Sequence, residues 1–594
     1  MDFSKKLTFR GAMLIPFRLA PLQTTLLVLQ RAVNVAVNPL NVFITASFIN
    51  TALAVFTNGA KPSGVVPPLL GLAAVQAYYQ IIGSLMELAG KNKGIKLRRS
   101  LRAPFMEKRA RLEFRHVENQ KVWDLVTRTW EKPEDKLNEV LDNVLGFLEL
   151  TLTSVSYAVI LLTSAPLAGA AIIAVSIPVF WLSFKGGKAS YDAERETSKR
   201  RRKYEFLAKV LTSREAVHER NMFGFTGKLN EMYYSEYEAS RKFKLRVRAK
   251  WFVRAKSLGL AVSAIAIFAM FALLPSAVGG GISVGLFISL TAALFGIINW
   301  LSWGIPNNFQ TIARNREYIK DLNEFFALSE QAGATDLPSE RPISFETLEF
   351  RDVSFTYPGT DKKVLDGFSL KIEVGKHYSF VGANGAGKTT ATKLITRLYD
   401  GYEGEILLNG KELRTYELKD IKACFTAVFQ DFARYDVTIA ENVALGKSNG
   451  ASPEDIDRAM ELAGFSGKVA ELKDGKNTVL GKTRDEGIDL SGGEWQRVAM
   501  ARAVVSPSPV KILDEPTAAL DPVAESEIYA KFEEISRGQT TIFISHRLGS
   551  ATLADEIFVI DGGKVAERGS HAELMEKSGV YAEMFESQRS WYVG

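Results

Sequence analysis

The chain has 594 residues, a formal net charge of +7, 46% apolar residues and a mean hydropathy of zero. That apolar share excludes a disordered chain, and a single cysteine, Cys424, excludes a disulfide-stapled scaffold. The charge is unevenly spread: residues 1–340 hold 43 basic and 27 acidic side chains, a net of +16, whereas residues 341–594 hold 31 and 40, a net of −9. The average is therefore no argument for a nucleic-acid partner; it predicts two domains in two environments.

The basic half comes first and is built on uncharged runs. Residues 22–57 carry only Arg31, residues 65–90 only Glu87 and residues 144–166 only Glu149, while residues 167–184, 257–277 and 282–306 carry no charge. A bilayer core takes about 20 apolar residues per helix, so these runs predict six transmembrane helices. The alternative, a large soluble helical core, does not need six such runs. The short turns at 58–64, 164–166 and 276–281 hold one basic residue, Lys61. The other connections hold Lys91, Lys93, Lys96, Arg98, Arg99 and Arg102, then the run 199–203, then the basic stretch 241–256. Excess Lys and Arg stays on the cytoplasmic side, which places the N-terminus there. These basic runs read as helix surface near anionic headgroups rather than as nucleic-acid contacts. No small-residue cleavage site follows a short apolar core, so no removable signal peptide is expected.

The inner connections, 91–142 and 185–256, are long and helix-compatible, which predicts helices running well past the bilayer. Residues 112–130 and 214–225 fall near the turning points of these excursions; each is either a docking element for a cytoplasmic domain or an ordinary amphipathic turn. On the first span, Arg31, Asn34, Asn38, Asn41 and Thr45 repeat at helical spacing and share one face. Polar groups are costly in lipid, so this stripe either walls a hydrophilic pathway or bonds helix to helix. Asn299, Trp300, Trp303 and Asn307 in the last span are weaker candidates of the same kind.

The polar, Pro- and Gly-containing stretch 326–345 reads as a linker between a membrane domain, 1–325, and an α/β domain, 346–594. In the latter, the strand-like run at 377–381 leads into GANGAGKTT, which satisfies G-x-x-x-x-G-K-[ST] in its required strand-to-helix setting. Gly382, Gly385 and Gly387 free the backbone to form an anion nest around Asn384. Lys388 can reach the outer phosphates, and the Thr389 and Thr390 hydroxyls follow at the helix start. A second strand-like run ends in Asp514 and Glu515, an acid able to hold Mg²⁺ beside one able to orient a water. A third, 540–545, ends at His546.

The wording then becomes specific. LSGGEWQ, with Ser491, Gly492, Gly493 and Gln496, resembles the signature of ATP-binding-cassette (ABC) proteins. Tyr357 resembles their adenine-stacking A-loop aromatic, Gln430 the Q-loop, Asp514 and Glu515 the Walker B aspartate and catalytic glutamate, Asp521 the D-loop, and His546 the switch histidine. Six helices followed by one nucleotide-binding domain is the layout of exporter half-transporters. The resemblance implies ATP and Mg²⁺ (through Thr389, Gln430 and Asp514), Glu515 and His546 in catalysis, and a second half-transporter as partner. With the motifs intact, that partner is expected to be a second copy of the chain, in the cytoplasmic membrane with the ATPase domain inside. Two departures stand out: Lys511 interrupts the Walker B strand, read as an edge feature or a snorkelling side chain, and RDEG (484–487) replaces the usual GExG.

Motif wording is most similar to exporters of lantibiotics and related modified peptides. Cys424 lies in the nucleotide-binding half, so no N-terminal cysteine peptidase is expected. The Arg31, Asn34, Asn38 and Asn41 stripe would then wall the pathway for a peptide. A lipid or multidrug exporter is the alternative, with a more apolar and aromatic pathway. A soluble non-transport ATPase conflicts with six spans, and an ion channel on this architecture is a remote further reading.

Overall fold

The computed structural model describes residues 6–593 apart from scattered positions between 165 and 195 and residues 214–215, 280, 301–303, 483–486, 517–537 and 545–547. It divides into two compact units, Met1–Arg109 with Asp124–Leu328, and Ala110–Trp123 with Ser329–Gly594.

The first unit is helical. Thr8 caps α1 (Phe9–Leu19), its hydroxyl accepting from the Gly11 amide at 3.0 Å. Pro21 opens α2 (Pro21–Asn58), and Gly59, at φ +65°, closes it. Then come α3 (Val66–Arg111), α4 (Phe114–Glu118), α5 (Gln120–Trp130) and α6 (Pro133–Ser164), of which α4 falls in the second unit. After them follow α7 (Ser198–Thr212), α8 (Val217–Phe223), α9 (Thr226–Val278), α10 (Val284–Asn299) and α11 (Ile305–Ala327). Among the described residues, three helical stretches are long and apolar enough to cross a bilayer: Pro21–Asn58, Pro62–Arg111 and Pro133–Ser164. The predicted span 257–277 falls in α9, and 167–184 lies largely outside the described residues. Phe56 is 88% exposed, and Leu70, Phe268 and Phe271 are also exposed, as lipid-facing side chains are.

Close packing and polar bonds both join these helices. α10 lies along α2, where Gly285 abuts the Ala46 carbonyl and leaves no room for a side chain. The Gly285 amide donates to Asn50 Oδ1 at 2.7 Å, and Asn50 Nδ2 to Ser283 Oγ at 2.7 Å. Beyond the apolar run, fully buried Lys93 pairs with Asp142 at 2.9 Å. Buried Glu134 on α6 receives Arg98 at 3.0 Å and Arg102 at 2.9 Å from α3.

In the second unit, a four-stranded antiparallel sheet, in the order β2-β1-β4-β5, is formed by β1 (Thr347–Thr356), β2 (Lys363–Glu373), β4 (Glu403–Leu408) and β5 (Lys411–Glu412). A six-stranded sheet runs β10-β9-β3-β8-β7-β6, from β3 (His377–Val381), β6 (Phe425–Val428), β7 (Val510–Asp514), β8 (Thr540–Ile544), β9 (Glu556–Asp561) and β10 (Lys564–Gly569). All its neighbours are parallel except β10 on β9. β7 and β8 are buried along their whole length, as strands covered on both faces must be.

Lys511 corrects one sequence expectation. β7 lies between β6 and β8, so it is no edge, and Lys511 is 1% exposed, so it does not snorkel. Its Nζ instead donates to the carbonyls of Ala503 at 2.7 Å and Ser506 at 3.3 Å, at the C-terminal end of the signature helix α13 (Gly492–Val504). A cation there meets the negative end of the helix dipole and otherwise unsatisfied carbonyls.

Candidate nucleotide-binding site

In an open parallel sheet, ligands gather outside the carboxyl ends of the strands. β3 delivers the glycine loop there and β7 delivers Asp514 and Glu515. Gly382, at φ +153°, lies against the Ile560 carbonyl, which leaves no space for a Cβ, and Gly387 holds φ +113°, a conformation L side chains rarely adopt, close against Leu365. Lys388 opens α12 (Lys388–Ile395), is 5% exposed, and donates to the carbonyls of Gly382 at 2.6 Å and Ala383 at 3.0 Å. Burial lowers its pKa, while Glu515 and Asp514 act in the opposite sense.

A cavity of about 650 Å³ opens here, lined by Tyr357, Val364, Asn384, Gly385, Gly387, Lys388, Thr389, Thr390, Gln430 and Glu515. Tyr357 bonds Thr390 through their hydroxyls at 2.9 Å. Asp514 is 2% exposed; burial raises its carboxyl to about 6, against the Thr389 hydrogen bond. Its Oδ2 is buried with no hydrogen-bond partner. An orphaned carboxylate oxygen beside a threonine hydroxyl, with Gln430 also on the cavity wall, is a hard-oxygen donor set that fits Mg²⁺.

Glu515 holds a left-handed backbone, φ +50°. Its amide donates to the Ile544 carbonyl at 2.9 Å, its carbonyl accepts from Gln496 Nε2 at 2.9 Å, and its Oε2 accepts from Gln430 Nε2 at 3.0 Å. Three predicted residues, Gln430, Gln496 and Glu515, thus form one bonded chain. Gln496 is buried within it, linking the signature helix to the Glu515 backbone.

Ser491 and Gly492 are exposed and Gly493 is half-buried, and none of the three lines the cavity. Ser491 caps α13 in a reciprocal box with Glu494, which presents the helix N-terminus outward. Asp521, His546 and the positions 484–486 of the RDEG stretch lie outside the described residues. Sequence reasoning missed Val364 on the cavity wall; an apolar strand residue carries no chemical signal of such a role.

The first-span stripe is bonded to its neighbours. Arg31 pairs with Glu149 of α6 at 2.7 Å, and Asn34 donates to the same carboxylate at 2.9 Å and accepts from Tyr78 of α3 at 2.9 Å. Asn38 donates to Thr153 at 3.4 Å and accepts from the Tyr79 hydroxyl. Asn41 and Thr45 are half-buried on the same helix, Trp300 is buried and Asn307 exposed, and Trp303 lies outside the described residues.

The chain is similar to several known proteins. Residues 365–518 match the family model described as ABC transporter. The subtilin transport ATP-binding protein SpaT of Bacillus subtilis is 27% identical over 556 residues, 92% of this chain and 89% of the relative. The ATP-dependent lipid A-core flippase of Vibrio vulnificus strain YJ016 is 38% identical over 304 residues, and that of Escherichia coli K12 is 42% identical over 241. This chain spans 51% and 41% of those two relatives. A solved structure of a bacterial Atm1-family ABC exporter with ATP bound aligns over 94% of this chain and 98% of its own, with a TM-score of 0.67 and 25% identity. A helical transmembrane half followed by one α/β domain that matches the ABC transporter model, with the near full-length likeness to an ABC exporter structure, supports an ABC exporter of the half-transporter type.

Proposed function

We propose that two copies of this chain export a modified peptide across the cytoplasmic membrane, driven by ATP. The observation that carries the substrate is the likeness to the subtilin transport protein, which runs nearly the full length of both chains, whereas the lipid A-core flippases are matched over about half. Their higher identity over that portion keeps lipid export as the second reading.

In this reading adenine stacks on Tyr357, and the nest of Gly382, Asn384, Gly385 and Gly387 with Lys388 and Thr390 holds the phosphates. Thr389, Asp514 and Gln430 would hold Mg²⁺, which neutralises phosphate charge. Glu515 orients and deprotonates the attacking water, with Gln430 fixing its carboxylate and His546 steadying the γ-phosphate. Ser491, Gly492 and Gly493, which do not line their own chain's cavity, complete the site of the second copy together with Asp521. ATP binding closes the pair and opens the pathway outward; hydrolysis resets it. Exposed Met222 and Phe223 on α8 support a docking role for that turn.

Bonding of Asn34 and Asn38 to two other helices supports a helix-joining role for them. Arg31 keeps a side chain more than a third exposed, with one guanidinium nitrogen committed to Glu149, and is the position on the stripe best able to touch cargo. The protein reconstituted in vesicles tests substrate class: ATPase stimulation by a lantibiotic-type peptide and not by lipid A supports the proposal, and the reverse replaces it with lipid export.

A further inference from the structure

One carboxylate outside the cavity bears on how the cavity is built. The segment Ala110–Trp123 leaves the helices of the membrane half and folds with the nucleotide-binding half. Backbone and side chains are both bonded there: the Gln331 amide donates to the Arg111 carbonyl at 2.8 Å, and the Arg115 and His116 side chains reach the Ser329 hydroxyl at 2.9 and 2.8 Å. At the end of α4, Glu118 uses both oxygens. Oε1 accepts from Lys393 Nζ at 2.7 Å, and Oε2 accepts from the Tyr399 hydroxyl.

Both partners lie against Tyr357. The Tyr399 ring meets the Tyr357 ring edge-on, centroids 5.4 Å apart at 83°, and Lys393 Nζ is 5.4 Å from the Tyr357 centroid. Phe114, from the same segment, packs edge-on to Tyr399 at 5.6 Å and also receives Lys393 at 5.4 Å. Lys393 belongs to α12, the helix that begins at the phosphate-binding Lys388. The sequence 114–118 therefore supplies the counter-charge and the acceptor that hold two side chains against the aromatic wall of the cavity.

We infer that Glu118 is a positioning residue for Tyr357, so that base recognition in the cavity and placement of the segment 110–123 are linked through one carboxylate. Removing it leaves the Lys393 ammonium without its counter-ion and the Tyr399 hydroxyl without its acceptor. Both side chains regain rotamer freedom, and Tyr357 loses a fixed backing. The linkage is reciprocal: whatever displaces the segment weakens adenine stacking, and adenine on Tyr357 favours the docked segment. If Glu118 only anchored the segment, it would act on nucleotide binding without regard to the base.

The inference rests on Tyr357 being the adenine platform, and the test separates the two. In the full-length protein, equilibrium binding of ATP and of inorganic tripolyphosphate, which has no base, is compared for wild type, Glu118→Ala, Glu118→Gln, Tyr357→Ala and the double variant Glu118→Ala with Tyr357→Ala. Glu118→Ala is expected to weaken ATP about five- to tenfold, within the usual range of site-to-site coupling, and to leave tripolyphosphate within twofold. Added to Tyr357→Ala, it is expected to weaken ATP no further. Glu118→Gln, which keeps an acceptor for Tyr399 and removes only the charge, is expected to show a smaller loss of the same base-dependent kind, and it serves where the alanine variant folds poorly. Equal loss of ATP and tripolyphosphate binding, unchanged ATP affinity, or an undiminished effect on top of Tyr357→Ala overturns the inference. ATP affinity unaltered by Tyr357→Ala alone overturns the platform reading itself, and the inference with it.

Discussion

Glu515 occupies a backbone conformation that costs an L-residue roughly 1–2 kcal/mol, yet it is held there from both sides by the Ile544 carbonyl and by Gln496. The strain delivers a carboxylate to the cavity wall, with Gln430 fixing one oxygen. In Glu515→Gln the amide replaces the base while the backbone bonds stay. ATP turnover is expected to fall at least a hundredfold, with ATP affinity within threefold of wild type; unchanged turnover would remove Glu515 from the chemistry. Lys388 and Asp514 are displaced in opposite senses by one cause, burial: the lysine downward, the aspartate up to about 6. Burial thus disfavours each charged form, and a ligand of opposite sign relieves that cost.

At the scale of elements, Lys511 joins the signature helix to the central strand. Burial pushes its pKa from the ordinary 10.5 down to about 8. The native state thus gives up this proton before the unfolded chain does. Between pH 8 and 10.5 the unfolded chain binds the extra proton, so stability rises with pH across that window. Below pH 8 the buried charge costs roughly 3 kcal/mol. Lys511→Met removes the charge and the bonds to Ala503 and Ser506 together. The stability of wild type relative to this variant, followed by thermal unfolding of the detergent-solubilised chain, is expected to increase from pH 8 to 10; a constant difference would contradict the assignment. In the membrane half, the Arg31–Glu149 pair joins α2 to α6. Glu149→Ala leaves Arg31 unpaired within the span and is expected to destabilise by about 3–5 kcal/mol, while the double change Arg31→Met with Glu149→Leu regains most of that. If the double variant folds and keeps full peptide stimulation of ATPase, the pair holds helices together and Arg31 does not touch cargo.

For the whole molecule, the proposed pairing makes the signature residues and the cavity of one chain incomplete catalytic parts until two copies meet. Lys388→Met disables a chain's own phosphate loop, and Ser491→Ala disables what it offers its partner. Either variant alone is expected to be inactive. Co-expressed and purified as a mixed dimer, they assemble one site in which both contributing parts are wild type, so ATPase is expected to return to a substantial fraction of the normal rate. No recovery would argue either against a shared site or for two sites that fire only together, and a mixed dimer with one Glu515→Gln chain separates these.

The sequence by itself determined which chemistry is present and roughly where along the chain it falls. GANGAGKTT, Asp514-Glu515 and LSGGEWQ are legible because phosphate and metal chemistry admit few residue types at few spacings, and uncharged runs are legible because lipid excludes charge. Only the tertiary structure decided which polar groups are partners. Asn34 on the first span and Glu149 on the third are 115 positions apart, yet hydrogen-bonded. Lys511 reads as an interruption until the end of α13 arrives above it. Glu118 is an unremarkable acid until the folded segment brings it against Lys393 and Tyr399. A residue's type states what it can bond; the fold states which group is within 3 Å, and in a packed interior that proximity sets whether a charge is a cost or a link.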